Sequence, residues 1–231
     1  MAPDLDLILD QRASHHLITV LRAKVGFNLS VFNGDGFEYR AKLIESDKKT
    51  AKVKILSKTR PDTESALITH IAQAVSRGER MDYMVQKATE LGANVITPIL
   101  SSRVVVKLDT RRWQKKIEHW KNIAVSAAEQ SYRVNIPEIE QPLEFADYVK
   151  SERIASRFIL DTEATDRFSA QLKPAGEIAV LIGAEGGFEK TEISLAVNHG
   201  FKQIGLGSRV LRTETVAPVS LALIQSLWGD L

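Results

Sequence analysis

The spacing of hydrophobic and polar positions changes part-way along the chain. Before about residue 60 the pattern alternates: in Ala51-Lys52-Val53-Lys54-Ile55, Val53 and Ile55 share one face and Lys52 and Lys54 the other. Leu29-Ser30-Val31-Phe32 and residues 37–44 read as further strands, joined through the turn Asn33-Gly34-Asp35-Gly36. Residues 15–21 read as a short helix ahead of them, with Ser14 as its cap. Together these predict a small antiparallel barrel over residues 1–62. Residues 60–65, polar and carrying Pro61, lack periodicity and read as a linker.

From residue 66 to residue 231 strands and helices alternate, which predicts an α/β domain with a largely parallel sheet. A strand over residues 67–75 leads to a helix over 80–91, closed by Gly92, and then to a strand over 95–100. In a long helix over 109–131, Trp113, Ile117, Trp120, Ala124 and Ala127 recur at helical spacing. Phe158-Ile159-Leu160 and Ile178-Ala179-Val180-Leu181-Ile182 are the unbroken apolar runs of strands covered on both faces. A helix over 189–198, a strand over 203–206 and a final helix over 213–228 complete the pattern.

Composition narrows the chemistry. The chain has no cysteine, which excludes disulfides, thiolate metal sites and cysteine nucleophiles together. Its five histidines form no HExxH pair, so no metal is expected. No apolar run is long enough to cross a bilayer and the first residues do not resemble a signal peptide, which points to the cytoplasm. The net charge of +2 is unevenly spread: between Val20 and Arg60 lie ten basic residues and four acidic ones. That concentration reads either as a polyanion-binding surface or as a solvated lysine face.

Two loops carry the candidate chemistry. The strand at 178–182 ends in Gly183-Ala184-Glu185-Gly186-Gly187, at the sheet edge where α/β proteins bind ligands. The loop is neither GxGxxG nor a P-loop, and Glu185 within it would repel a pyrophosphate, which favours a phosphate-free or cationic ligand such as S-adenosylmethionine. A tight turn built only for its glycines is the other reading. The next strand repeats the arrangement: Leu206-Gly207 leads through Ser208-Arg209-Val210-Leu211-Arg212 to Thr213, read as the cap of an apolar helix. Arg209 and Arg212 at that entrance read either as substrate contacts or as partners of Glu214 or Glu185.

These loops, with His15-His16-Leu17-Ile18-Thr19-Val20-Leu21-Arg22, Arg77-Gly78-Glu79-Arg80-Met81-Asp82, Gln86-Lys87-Ala88-Thr89-Glu90-Leu91-Gly92 and Glu129-Gln130-Ser131-Tyr132-Arg133, resemble the RsmE family over nearly the whole chain. Its members are SPOUT methyltransferases acting on N3 of a uridine in 16S small-subunit ribosomal RNA. The resemblance implies an RNA-binding PUA-like β-barrel at 1–62, a SPOUT domain with a deep trefoil knot at 66–231, and a homodimer. It implies S-adenosylmethionine as cofactor, and ribosomal RNA or the 30S subunit as partner. Three departures stand out: Ala184 replaces a proline, Tyr132 replaces a small residue, and the arginine-bearing first strand is missing from the acidic stretch at 1–6.

Carried onto this sequence, the resemblance implies a cofactor site of Leu160, Leu181, Ile182, Gly183, Gly186, Gly187, Leu206, Gly207, Leu211 and Thr213. Uracil N3 is protonated at neutral pH, so transfer needs a base or a group that stabilises the uracil anion. Arg212 is the first candidate for stabilisation; Glu129, Glu185 and Glu214 are candidate bases or carboxylates that orient an arginine. Arg103, Arg133 and Arg209 are expected to hold phosphates, and Arg22 and Lys24 to dock the RNA. A non-catalytic ribosome assembly module, or a methyltransferase acting on another RNA position, is the competing reading.

Overall fold

The computed structural model describes residues 1–104, 109–151 and 154–231. The chain divides into two compact units, Met1–Glu64 and Ser65–Leu231. In the first, strands β1 (Asp6–Ile8), β2 (Asn28–Val31), β3 (Glu38–Ser46) and β4 (Ala51–Thr59) form an antiparallel sheet in the order β1-β4-β3-β2. Val53 and Ile55 are fully buried with Tyr39 and Leu43. Lys52 and Lys54 project outward, 3.2 Å from Asp6 and 3.9 Å from Asp4. Part of the basic face is thereby neutralised. Register shifts in β3 curl the sheet around its core. The expected small antiparallel β unit is thus present, as a sheet whose edge strands β1 and β2 do not pair with each other among the described residues.

The helix expected at 15–21 begins earlier. Helix α1 (Gln11–His15) is capped by Asp10, whose Oδ1 accepts the Ala13 N–H at 2.8 Å, and it continues as one π turn, His16–Val20. Ser14 caps nothing. It is buried, and its hydroxyl donates to the Leu9 carbonyl and accepts from the Ala51 N–H, both at 3.1 Å, which fastens the helix to β4.

The second unit runs β5 (Thr69–Ala74), α2 (Arg80–Glu90), β6 (Val95–Leu100), α3 (Thr110–Gln130), β7 (Glu138–Ile139), β8 (Leu143–Glu144), α4 (Phe145–Lys150), β9 (Ser156–Leu160), β10 (Ile178–Ile182), α5 (Lys190–Asn198), β11 (Lys202–Ile204) and α6 (Thr213–Trp228). All pairings among these strands are parallel, in the order β11-β9-β10-β5-β6-β7, with β8 also pairing with β6. A parallel sheet of this kind is covered on both faces. Ile71, Val180 and Ile182 pack with residues of α2, α3 and α6, whereas Ala72, Leu181 and Ile159 pack with residues of α4 and α5. The carboxyl ends of β9, β10 and β11 therefore open side by side at one edge.

Helix α3 is anchored by Trp120, which is fully buried and donates from Nε1 to Asp82 of α2 at 2.9 Å. Trp120→Ala removes that ring and leaves the Asp82 oxygen without its donor. It should cost about 3–5 kcal/mol, read as a lower urea midpoint at unchanged slope.

Candidate functional site

The loop after β10 turns back on itself tightly. A Cβ on Gly183 would lie 2.8 Å from Gly187 Cα and 2.9 Å from its carbonyl carbon, so a side chain there is excluded. Gly187 holds φ at +66°, and its N–H donates to the Ala184 carbonyl at 2.9 Å. The loop after β11 is drawn against it: the Thr213 hydroxyl donates to the Gly183 carbonyl at 2.7 Å. Gln73, near the end of β5 and 1% exposed, donates from Nε2 to that carbonyl at 3.1 Å and to Thr213 Oγ1 at 3.0 Å. Thr213 is thus the first residue of α6 rather than its cap, since its hydroxyl is spent joining the loops. Arg212 holds the cap position, with no side-chain cap bond.

Between the loops lies a cavity of about 490 Å³. Leu160, Ile182, Leu206, Val210, Leu211 and Val216 supply apolar walls, Gly183 and Gly207 supply backbone, and Arg80, Asp161, Glu185, Arg209, Arg212 and Glu214 contribute charge. That size and mixture suit a small organic ligand.

Arg80 organises the charge. Its Nη1 lies 2.5 Å from Glu185 Oε1 and its Nε 3.6 Å from Glu214 Oε2. Partial burial pushes the Glu185 carboxyl upward. Hydrogen bonds from the backbone N–H groups of Arg77 (2.9 Å) and Glu185 itself, with the bond and charge of Arg80, outweigh burial and hold it below the usual carboxylate range. An ionised, paired Glu185 is a poor base. Its repulsion of a phosphate is also weaker than the sequence suggested. Glu214 Oε2 is different: its approach to Arg80 exceeds hydrogen-bond length, and the atom is buried with no hydrogen-bond donor among the described residues.

The cavity brings together Leu160, Ile182, Gly183, Gly187, Leu206, Gly207, Leu211 and Thr213 of the expected ligand site, and Glu185, Arg209, Arg212 and Glu214 at its rim. Leu181 is not among them. Strand alternation turns it to the opposite face, into the core with α4 and α5. Gly186 also falls outside, packed against Arg103, whose Nη1 donates to the Gly186 carbonyl. Arg103 therefore braces the loop.

Glu129 lies in the last turn of α3 and does not line this cavity. Arg133, expected to hold phosphate, is only 4% exposed: its Nη1 donates to the Thr89 and Ala93 carbonyls at 2.7 and 2.9 Å. It serves the end of α2 instead. Tyr132, in left-handed backbone (φ +59°), lies beside it and not at the cavity wall. Arg209 and Arg212 are exposed and have no side-chain partner among the described residues, since Arg80 takes the carboxylates offered to them. Arg22 and Lys24 are exposed in the first unit, Arg22 with φ at +51°. Sequence reasoning missed Asp161, Thr162, Val210, Val216 and the role of Arg80. The rule that ligands gather beyond strand ends pointed to Arg80, which follows β5 directly.

Comparison with known proteins defines the class first. Residues 63–225 match the family model described as an RNA methyltransferase domain, and residues 9–56 the one described as an RNA methyltransferase PUA domain. Ribosomal RNA small subunit methyltransferase E of Buchnera aphidicola (from Schizaphis graminum) is 34% identical, over 96% of this chain and 91% of that protein. Its Bacillus subtilis counterpart is 30% identical, over 91% and 86%. A Legionella pneumophila methyltransferase solved with bound SAM superposes with a TM-score of 0.96 at 39% identity, covering 100% of this chain and 96% of that one. The Neisseria gonorrhoeae ribosomal RNA small subunit methyltransferase E, bound to S-adenosyl methionine, gives 0.94 at 31% identity, covering 100% and 95%. The chain belongs to the ribosomal RNA small subunit methyltransferase E family.

The Glu185 pair carries a pH signature. Its carboxyl ionises below the ordinary 4.5 in the folded protein, so its contribution is complete above that pH and disappears as pH falls through the folded value. Wild type should exceed Glu185→Gln in urea stability at neutral pH by under about 1 kcal/mol, as befits a partly exposed pair, and the gap should close as pH falls below the ordinary carboxylate range.

Proposed function

We propose that this chain transfers a methyl group from S-adenosylmethionine to N3 of a uridine in 16S ribosomal RNA, as free RNA or in the 30S subunit. The observation that carries this is the enclosed cavity between two stitched loops, in a family whose relatives hold that cofactor. No helix among the described residues is long and apolar enough to cross a membrane, and none of their His, Asp and Glu side chains group to hold a metal ion.

The cavity fits the cofactor: apolar walls from Leu160, Leu206 and Leu211 suit an adenine ring, and the glycine backbone offers peptide groups to its polar edge. When bound, S-adenosylmethionine supplies an electrophilic methyl group. The protein contributes orientation and charge. Arg212, exposed and without a side-chain partner among the described residues, hydrogen-bonds a uracil carbonyl as N3 loses its proton. Glu214, 3.6 Å from Arg80 and receiving no hydrogen bond at Oε2 among the described residues, is the better proton acceptor; Glu185 holds Arg80 at 2.5 Å. Arg209 meets phosphate, and Arg22 and Lys24 dock the RNA through the first unit, which we take as a PUA-like module. We further propose that the second unit is knotted and that the protein works as a homodimer. Leu223 and Leu227, one turn apart on α6 and 40% and 42% exposed, support such an assembly.

Labelled methyl transfer to unmethylated 30S particles, followed by nucleoside mass spectrometry, should yield 3-methyluridine. Binding of RNA without the cofactor would instead indicate an assembly module, and another methylated nucleoside a different target. Gly187→Trp should abolish cofactor binding in calorimetry, because the ring projects into the cavity from a strained position. Arg212→Ala should keep cofactor affinity and lose at least about a hundredfold in turnover.

A further inference from the structure

Beside the cofactor cavity, and sharing Arg80, Arg212 and Glu214 with it, lies an open cleft of about 730 Å³ also lined by Arg77, Tyr83 and Thr215. Tyr83 stands on the exposed side of α2, 47% accessible, while Met81, Met84 and Val85 around it are buried. Lys87 approaches one face of its ring at 5.9 Å; the phenol hydroxyl has no partner among the described residues. A large aromatic side chain left out of the core, beside two arginines without side-chain partners, has the composition of a site for an unstacked nucleobase. Arg80 is not available to such a ligand, because Glu185 and Glu214 occupy it.

We infer that this cleft is the subsite for the extruded target base. The pyrimidine stacks on Tyr83, Arg212 donates to a ring carbonyl, and Arg77 meets the adjoining phosphate. The shared residues lead the base edge toward the cofactor cavity. The arrangement also explains a preference for uracil. Stacking accepts any base, whereas an arginine can only donate, so with Arg212 at the 4-position the carbonyl of uracil is accepted and the amino group of cytosine is refused. This rests on the methyltransferase reading above, and the test separates the two.

The test uses the full-length protein with S-adenosylmethionine and 30S particles. Tyr83→Ala should raise KM for the particles roughly tenfold or more, with cofactor affinity in calorimetry and mass by light scattering unchanged. Tyr83→Trp should recover most of the loss, which a purely structural role would not allow. A small-subunit RNA fragment carrying 4-thiouridine at the methylated position should photocrosslink to Tyr83. An unaltered KM in Tyr83→Ala, a crosslink elsewhere, or a change of mass on substitution overturns the subsite while leaving the methyltransferase reading intact. Wild-type protein that forms no 3-methyluridine overturns both.

Discussion

One carbonyl oxygen, that of Gly183, holds the two loops together. It receives the Thr213 hydroxyl at 2.7 Å and the Gln73 amide at 3.1 Å, and so joins the end of β10, the start of α6 and the end of β5. The residues involved are separated by 110 and 30 positions, yet all lie at the carboxyl edge of one parallel sheet. A peptide carbonyl serves because Gly183 has no side chain: any Cβ would meet the backbone of Gly187, and the loop would open. The buried amide of Gln73 strengthens the junction, since its donors have left water and gain little unless both are bonded.

The charge at the cavity mouth follows from that junction. Once Thr213 is fixed, Glu214 falls within 3.6 Å of Arg80, and once Gly183 is fixed, Glu185 reaches both Arg80 and the Arg77 backbone. One arginine at the start of α2 therefore reads the position of both loops. This leaves Arg209 and Arg212 exposed and without carboxylate partners among the described residues.

Much of this was legible in the sequence. The periodicity located α2, α3, α5 and α6 within a residue or two and marked β6 and β10 by their apolar runs. Short elements escaped it: β1, β7 and β8 have two or three residues each, too few to establish alternation. In the site, the loops stood out because glycine followed by a helix is a local pattern. Leu181 was misplaced for a physical reason: in a strand covered on both faces, every residue is apolar and nothing in the composition distinguishes the cavity side from the core side. The burial of Arg133 and the bridging role of Arg80 arise from contacts 40 or more residues away in sequence. Charge type alone cannot separate an arginine that braces carbonyls from one that meets phosphate.

Where the structure leaves polar atoms unsatisfied is also informative. Burying such an atom without a partner costs about 1–3 kcal/mol. Two of those found among the described residues, Gln73 Oε1 and Glu214 Oε2, belong to the junction and the cavity it encloses. For Gln73 the cost is the consequence of committing its amide nitrogen to three acceptors. Glu214 Oε2 lies 3.6 Å from Arg80 Nε, so its charge is offset although no donor among the described residues reaches it within hydrogen-bond length. The stability given up at these two atoms is given up where β5, β10 and α6 meet, at the junction that shapes the cavity.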